Sequence, residues 1–499
     1  VYESLVDLFE VSCRKFSRCE LFGTKTKSPG GASHWSWITY AEFKQRVDDF
    51  RGGLAALGVG KGDRVAIVAD NCVEWAAGAY ATFGRAACYV PMYTAQSVEE
   101  WEYILKDSGA KVVIAQNPTL HQKLTEIQSR IPALEHVIGV GLPASSEHAF
   151  ETVCKKGKSA PVPAEHPQGS DLAVFIYTSG TTGDPKGVEL THANVCSNVE
   201  AIQPLFELDQ NDRSLAFLPW AHSFGQVAEL HFLFNKGCSM GLNDEIPAIV
   251  GNLAEVRPTI LIAVPRIFNR IYDGVNKQMT GKPAPIRALF KSGIAFAKRK
   301  AQGDSLGFSE RAVLTLAEKL IFKKVRGRFG GRLRFVISGS AALNTEVAEF
   351  IDALGIVVYE GYGLSETSPV VSVNTPAHRK IGTVGRSIPG VTVSLDESKS
   401  DTPGEGEIIV RGPNVMVGYH NRPEETAAVM LPDGGFRTGD LGTIDAEGFI
   451  TITGRIKEQY KLENGKYVAP ALLEEDLKLS PYIANSMLYG ANRPHNVLL

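Results

Sequence analysis

Cysteine is scarce and unpatterned in this 499-residue chain. The seven residues Cys13, Cys19, Cys72, Cys88, Cys154, Cys196 and Cys238 are odd in number and include no CxxC pair. Neither a disulfide framework nor a zinc site is indicated, and a reducing, intracellular setting is the expectation. Long apolar runs are missing too, since none approaches the roughly 18–20 residues that span a bilayer. The best candidate, 76–88, is rich in Ala and Gly and carries Arg85, so it reads as a packed helix and the turn after it. Charge imbalance is also absent. The chain has 52 basic and 55 acidic side chains and a net charge of −3, which argues against a nucleic-acid binder. With 44% hydrophobic and 21% charged residues the composition is globular. The length accommodates about three domains, or one large body with an appendage. The chain starts at Val1 rather than Met and ends on the apolar Val497-Leu498-Leu499, so both ends read as cut.

What is present is an alternation of strand and helix patterns. Helical spacing covers 1–16, 41–57, 74–83 and 98–107, and strand patterns cover 35–40, 64–70, 87–91 and 111–115. The stretch 141–169 turns polar and then Pro-rich, and reads as a surface connection. Later strands are expected at 172–176, 215–220, 259–264, 333–337 and 356–359, with helices at 192–205 and 344–354, the last capped by Asn344. This alternation predicts an α/β fold with parallel sheets covered by helices. Strands at 404–410 and 449–453 suggest a small β subdomain after it.

The most informative stretch follows the apolar run 172–176. It reads Tyr177, Thr178, Ser179, Gly180, Thr181, Thr182, Gly183, Asp184, Pro185, Lys186, Gly187. Glycines let the backbone bring its N–H groups close to an anion, hydroxyls add donors, and Lys186 adds a point charge. That chemistry suits phosphate, although an ordinary surface loop also fits the composition. The order of residues is not that of a Walker A loop, where Gly-Lys is followed by Ser or Thr.

The stretch resembles the signature loop of the adenylate-forming enzymes, which include acyl-CoA synthetases, luciferases and peptide-synthetase adenylation domains. The resemblance covers essentially the whole chain. It implies a large N-terminal domain, 1–455, of two α/β parallel-sheet subdomains plus a small β subdomain. The beginning of a small α+β C-terminal lid, 456–499, would follow, with a hinge at Lys457. It implies that Thr178, Ser179, Gly180, Thr181, Thr182, Gly183 and Lys186 wrap the ATP phosphates. Gly339, Ser340 and Ala341 would lie against adenine, and in a loop motif over 360–367 Tyr362 would stack on it beside Gly363 and Thr367 would contact the α-phosphate. Glu366 and Thr178 would hold Mg²⁺, a hard cation suited to oxygen donors. Residues 436–441 would form a ribose loop in which Asp440 accepts from the ribose hydroxyls, and Arg455 would reach ribose or phosphate. His222, after the expected strand 215–220, would sit beside the reacting carboxylate, and a purely structural histidine fits equally. Lys186, His222, Glu366, Thr367 and Arg455 are the expected catalytic set. Lys461, Lys466 and Pro470 would border the coenzyme A path.

The resemblance also implies a reaction: fatty acid, ATP and coenzyme A give acyl-CoA, AMP and pyrophosphate. The segment 278–328 is basic and helical, and 319–343 resembles the extension of long-chain acyl-CoA synthetases. The alternatives are an acyl-ACP synthetase, an aryl-CoA ligase, or a non-catalytic nucleotide or fatty-acid binding module. Within 278–328 a solvated helical insertion is the preferred reading. A membrane-surface patch is the sharper one, with basic residues beside Leu289, Phe290, Ile294 and Phe296. An intracellular chain is expected, cytosolic or peripheral to a membrane such as endoplasmic reticulum, peroxisome or plastid. Only 44 residues follow Arg455, and none matches the C-terminal catalytic lysine of the family, so a fragment or a natural truncation is expected. Acyl chain length and oligomeric state are left open.

Overall fold

The computed structural model describes residues 2–27, 33–178, 183–463, 467–477, 483 and 486–499. Contacts divide the chain into two units, each discontinuous in sequence. The first comprises Val1–Ile249, Leu364–Val370 and Gly412–Met430, and the second Val250–Gly363, Val371–Arg411 and Leu431–Leu499. The motif 360–367 is therefore shared: Glu360–Gly363 belong to the second unit, and 364–367 to the first. Among the described residues no helix is long and apolar enough to cross a membrane.

The first unit is built on a seven-stranded sheet. Its order is Gly418–Tyr419, Lys186–Thr191, Leu172–Thr178, Cys88–Met92, Arg64–Val68, Val112–Ala115, His136–Gly139. The last five of these run parallel, and the first two are antiparallel additions at one edge. Val65 to Val68 and Val112 to Ala115 are fully buried, as expected of parallel strands covered on both faces. A second sheet runs Ser33–Thr39, Glu20–Lys27, Ser239–Leu242, Arg213–Ala216. Strand Glu20–Lys27 was not expected, because its Thr24–Lys27 half is polar and is held only by antiparallel pairing with Ser33–Thr39.

Two expectations fail in this unit. The strand expected over 215–220 ends at Ala216, because Ser239–Leu242 pairs only with 213–216. Beyond it the side chain of Asn71 takes over the backbone, donating to the Leu218 carbonyl at 2.7 Å and accepting from the Trp220 N–H at 2.8 Å. The connection expected over 141–169 contains helix Phe150–Ser159, which buries Val153 and packs on helix Tyr40–Ala56. Its alternating Lys and small residues hide the apolar face. Gly157 makes the crossing close, since a methyl group there would overlap the Asp49 carbonyl and the Gly53 amide.

The second unit holds a five-stranded sheet, Ile260–Ala263, Phe335–Ser338, Val357–Gly363, Val370–Val373, Arg386–Ser387. Its first three strands are parallel and its last two antiparallel. The strand expected at 356–359 runs on to Gly363, where a loop was expected. Gly361 lets it approach the Ser372 carbonyl, which a Cβ would meet at 3.0 Å. The expected small β subdomain is a four-stranded antiparallel sheet, Thr392–Asp396, Glu405–Arg411, Phe436–Ile444, Ile450–Arg455. The stretch expected as a ribose loop, 436–441, is therefore strand. The basic insertion is helical but broken. Pro265–Thr280 and Ala284–Ala301 are separated at Gly281–Pro283, and Phe308–Ala317 starts after a turn with Gly303 at φ 93°.

Candidate active site

In the first unit, strands Leu172–Thr178 and Lys186–Thr191 form a hairpin whose loop end pairs Thr178 with Lys186. Ser179, Gly180, Thr181 and Thr182, expected to wrap phosphate, lie outside the described residues. Gly183 is exposed. Lys186 does not point into empty solvent: its ammonium stands 5.2 Å from the centroid of the Tyr419 ring, a cation–π distance. Tyr419 lies on the edge strand and donates its hydroxyl to Glu366 Oε1 at 2.8 Å. Burial, and then the Glu366 charge, push the Tyr419 phenol up, so it stays a donor.

Glu366 and Thr367 lie on the 3₁₀ turn Ser365–Thr367. Hydrogen bonds from side chains and main chain fix the backbone of the turn and of Val370 after it. Asn198 exchanges two hydrogen bonds with Val370, at 2.8 and 3.2 Å. Asn414 donates to the Thr367 carbonyl at 2.9 Å, and the Met416 N–H donates to the Glu366 carbonyl at 2.9 Å. Ser368 closes the turn in a left-handed conformation, φ 64°, uncommon for a residue with a Cβ. Thr367 is fully buried. Its hydroxyl donates to the Pro369 carbonyl at 2.6 Å and accepts from the Leu364 N–H at 3.0 Å. The structure thus brings Glu366 to Tyr419 and Lys186, and turns the Thr367 hydroxyl into its own loop.

His222 is in the same unit, in the turn that precedes the π-helical segment Phe224–His231. Its Nδ1 accepts the Phe224 N–H at 3.1 Å, and burial lowers its pKa, so the ring is neutral. The neighbouring Ser223 hydroxyl is 3.0 Å from that of Ser365, which joins the histidine turn to the Glu366 turn. No pattern in the sequence singles out Ser223, Ser365 or Tyr419. Tyr419 is 53 residues from its partner, and neither neighbourhood is periodic.

Glu366 and the Thr178 hydroxyl are hard oxygen donors, and Glu366 Oε2 has no hydrogen-bond partner among the described residues. These groups fit Mg²⁺, which takes one or two protein oxygens and completes its shell with water and phosphate. No group of three or more His, Cys, Asp or Glu side chains able to hold a metal occurs among the described residues.

In the second unit, Asp440 is 3% exposed and gathers two donors. Tyr362 donates to one oxygen at 2.6 Å, and Arg455 Nε to the other at 2.7 Å. The sheet register creates this cluster, because Asp440 lies directly opposite Arg455 across antiparallel strands. Burial and then Asp440 hold the Tyr362 phenol well above its usual range. Burial disfavours the Arg455 charge, but the Asp440 carboxylate, helped by Glu458 and Tyr362, raises the guanidinium pKa on balance. Each carboxylate oxygen keeps a second lone pair for a hydroxyl donor.

Gly339, Ser340 and Ala341 follow strand Phe335–Ser338. Ser340 is exposed and left-handed at φ 68°, and the Ser338 hydroxyl is buried without a partner. Glu360, which sequence reasoning passed over, is 8% exposed in the middle of strand Val357–Gly363. Burial pushes its carboxyl up to about 7, against the pull of Arg379 and of the Leu343 and Gly382 N–H groups.

Residues 19–420 match the AMP-binding enzyme family. A long-chain-fatty-acid–CoA ligase of Mycobacterium bovis is 34% identical over 471 residues, covering 92% of this chain and 76% of that protein. The peroxisomal long chain acyl-CoA synthetase 7 of Arabidopsis thaliana is 29% identical over 509 residues, covering 98% and 71%. The crystal structure of ATP-bound MatB from Rhodopseudomonas palustris superimposes with a TM-score of 0.74 at 26% identity, covering 97% of this chain and 85% of that one. With the family matched across most of its length, the chain belongs to the AMP-binding enzymes.

Proposed function

We propose that the chain is an AMP-forming long-chain-fatty-acid–CoA ligase. A fatty carboxylate oxygen attacks the α-phosphorus of ATP, and the bond from that phosphorus to the pyrophosphate oxygen breaks. The coenzyme A sulfur then attacks the acyl carbon, the acyl–oxygen bond to AMP breaks, and the thiol proton leaves to solvent. The first step brings anions together and needs fixed cations and donors. The observation that carries this reading is the Lys186–Tyr419–Glu366 grouping at the loop end of the hairpin. It gathers a cation and a metal-competent carboxylate around one tyrosine.

In this reading Lys186 binds phosphate, and Glu366 and Thr178 would hold Mg²⁺, which would supply neutralisation of phosphate charge. Thr367 orders the turn and offers backbone to the α-phosphate. His222, kept neutral, accompanies the reacting carboxylate. Gly339, Ser340, Ala341, Tyr362 and Gly363 serve the base, and Asp440 and Arg455 the ribose. Residues 1–455 form the nucleotide-binding body, and 456–499 belong to a lid hinged at Lys457. No protein nucleophile is needed. This agrees with Cys13, Cys72, Cys88, Cys154 and Cys196, whose thiols are pushed up by burial and unsuited to attack.

The substrate class rests on relatives that are named for long-chain acids. The test is acid-dependent exchange of labelled pyrophosphate into ATP, with palmitate, acetate and a cinnamate compared. Exchange driven by palmitate above the others is expected. Exchange driven by acetate or cinnamate, and not by palmitate, would overturn the substrate class.

A further inference from the structure

The basic insertion carries an exposed stripe that the proposed reaction does not use. Helix Phe308–Ala317, the π-turn Glu318–Phe322 and helix Lys323–Gly327 follow one another without interruption. One face is packed: Ala317 is 0%, Ile321 6% and Phe322 1% exposed. Ala317 abuts Gly293, and the Phe322 ring lies 6.4 Å from that of Phe290, both on helix Ala284–Ala301. The other face is open. Phe308 is 92%, Leu316 48% and Leu320 44% exposed, and Lys319, Lys323 and Lys324 are exposed beside them. The positions 308, 312, 316, 319, 320, 323 and 324 recur at three- and four-residue steps, which is one side of a helix.

Charge on this stripe has one sign. The acids of the segment are used elsewhere: Glu310 pairs with Arg299, and Glu318 with Arg326. Lys319, Lys323 and Lys324 have no ion-pair partner among the described residues. Large apolar side chains turned outward among unpaired lysines have a poor fit to bulk water. They fit the boundary of an anionic bilayer, where leucine and phenylalanine enter the acyl edge and lysine stems reach back to phosphate.

We propose that the 308–324 stripe is a docking surface for an anionic lipid bilayer, and that the chain binds such a surface peripherally with this helix lying in its plane. The inference goes beyond the ligase reading, and vesicle binding needs neither ATP nor acid, so the two fail independently.

The probe is co-sedimentation with vesicles of phosphatidylcholine and phosphatidylglycerol, against pure phosphatidylcholine. Binding to the anionic vesicles is expected, and about 0.5 M salt should release most of it. Reversing Lys319, Lys323 and Lys324 to Glu should weaken binding by about tenfold or more. Leu316→Ser with Leu320→Ser should weaken it at any salt, because insertion is lost and charge is kept. These side chains are outside the packed core, and unchanged thermal unfolding would establish that each variant is folded. Equal binding by the Lys variant, or no binding by the parent chain, would overturn the proposal. Self-association abolished by the Leu pair, without vesicle binding, would also overturn it and assign the stripe to a second copy.

Discussion

The Tyr419 hydroxyl holds Glu366 at 2.8 Å while its ring faces the Lys186 ammonium at 5.2 Å. One side chain thus fixes a carboxylate and a cation that come from segments about 180 residues apart in sequence. Partners of a metal-binding carboxylate orient it and tune its affinity, and their loss typically costs about ten- to a hundredfold. Tyr419→Phe keeps the ring for Lys186 and removes only the donor. The Mg²⁺ concentration that half-saturates pyrophosphate exchange should rise by about tenfold or more. An unchanged Mg²⁺ dependence would separate Tyr419 from the metal.

The Asp440 cluster makes a different prediction. Hydrogen bonds to a charged group contribute about 1.5–3 kcal/mol each. Asp440→Ala should weaken ATP binding by about ten- to a hundredfold in calorimetry, with little effect on binding of inorganic pyrophosphate, which has no ribose. Equal losses for both ligands would mean that the cluster is structural.

Gly157 is a packing prediction. Gly157→Ala drives a methyl group into the Asp49 carbonyl, backbone that cannot rotate away. Overpacking of this kind costs about 1–3 kcal/mol and occasionally more. The urea midpoint should fall markedly. Gly327→Ala, at an open position with ordinary φ, should leave it unchanged or slightly raised.

Acid should destabilise the first unit through two buried histidines. His192 Nδ1 accepts the Leu5 N–H at 3.2 Å, so its proton sits on Nε2, which is buried without a partner. His231 Nδ1 lies 2.9 Å from the Tyr80 hydroxyl, and its Nε2 is also unpartnered. Burial lowers the two to about 4 and about 3, with the Asp171 and Asp7 charges opposing the shift at His192. The unfolded chain therefore binds protons first. Their stabilisation is complete above pH 6.5 and is lost as pH falls toward 4 and 3, by about 3 kcal/mol or more per ring. Thermal unfolding should drop steadily below pH 6.5, and a flat profile from 6.5 to 4 would contradict the neutral-ring assignment.

Glu360 acts with the opposite sign in the second unit. Its carboxyl is raised to about 7, so the folded state holds the proton longer. Stability associated with it is full below about pH 4.5 and falls as pH rises to 7. Glu360→Gln should remove that decline from the thermal profile of this unit. A decline that persists in the variant would assign it to another group.

Much of the architecture was legible in order along the chain. Apolar runs such as 65–68 and 112–115, set between helical patterns, read as parallel strands covered on both faces, and they are. Asn344 signalled its helix by chemistry, and its carboxamide accepts from the Glu346 N–H at 2.8 Å. Local composition misled where tertiary partners decide the backbone. Asn71 ends the strand before Trp220, Ser372 lets 360–363 stay extended, and two facing strands turn 436–441 from loop into ladder.

The sequence by itself determined most of the element types and the family, because these depend on periodicity and on residue chemistry at short spacing. Only the tertiary structure decided which groups meet. Asp440 reaches Arg455 through antiparallel register, Tyr419 reaches Glu366 across 53 residues, and Ser223 reaches Ser365 across 142. Such contacts follow from sheet order and helix packing, which single-chain periodicity does not encode. The physical reason is that local patterns fix which face of an element is apolar, while burial against distant elements fixes its neighbours.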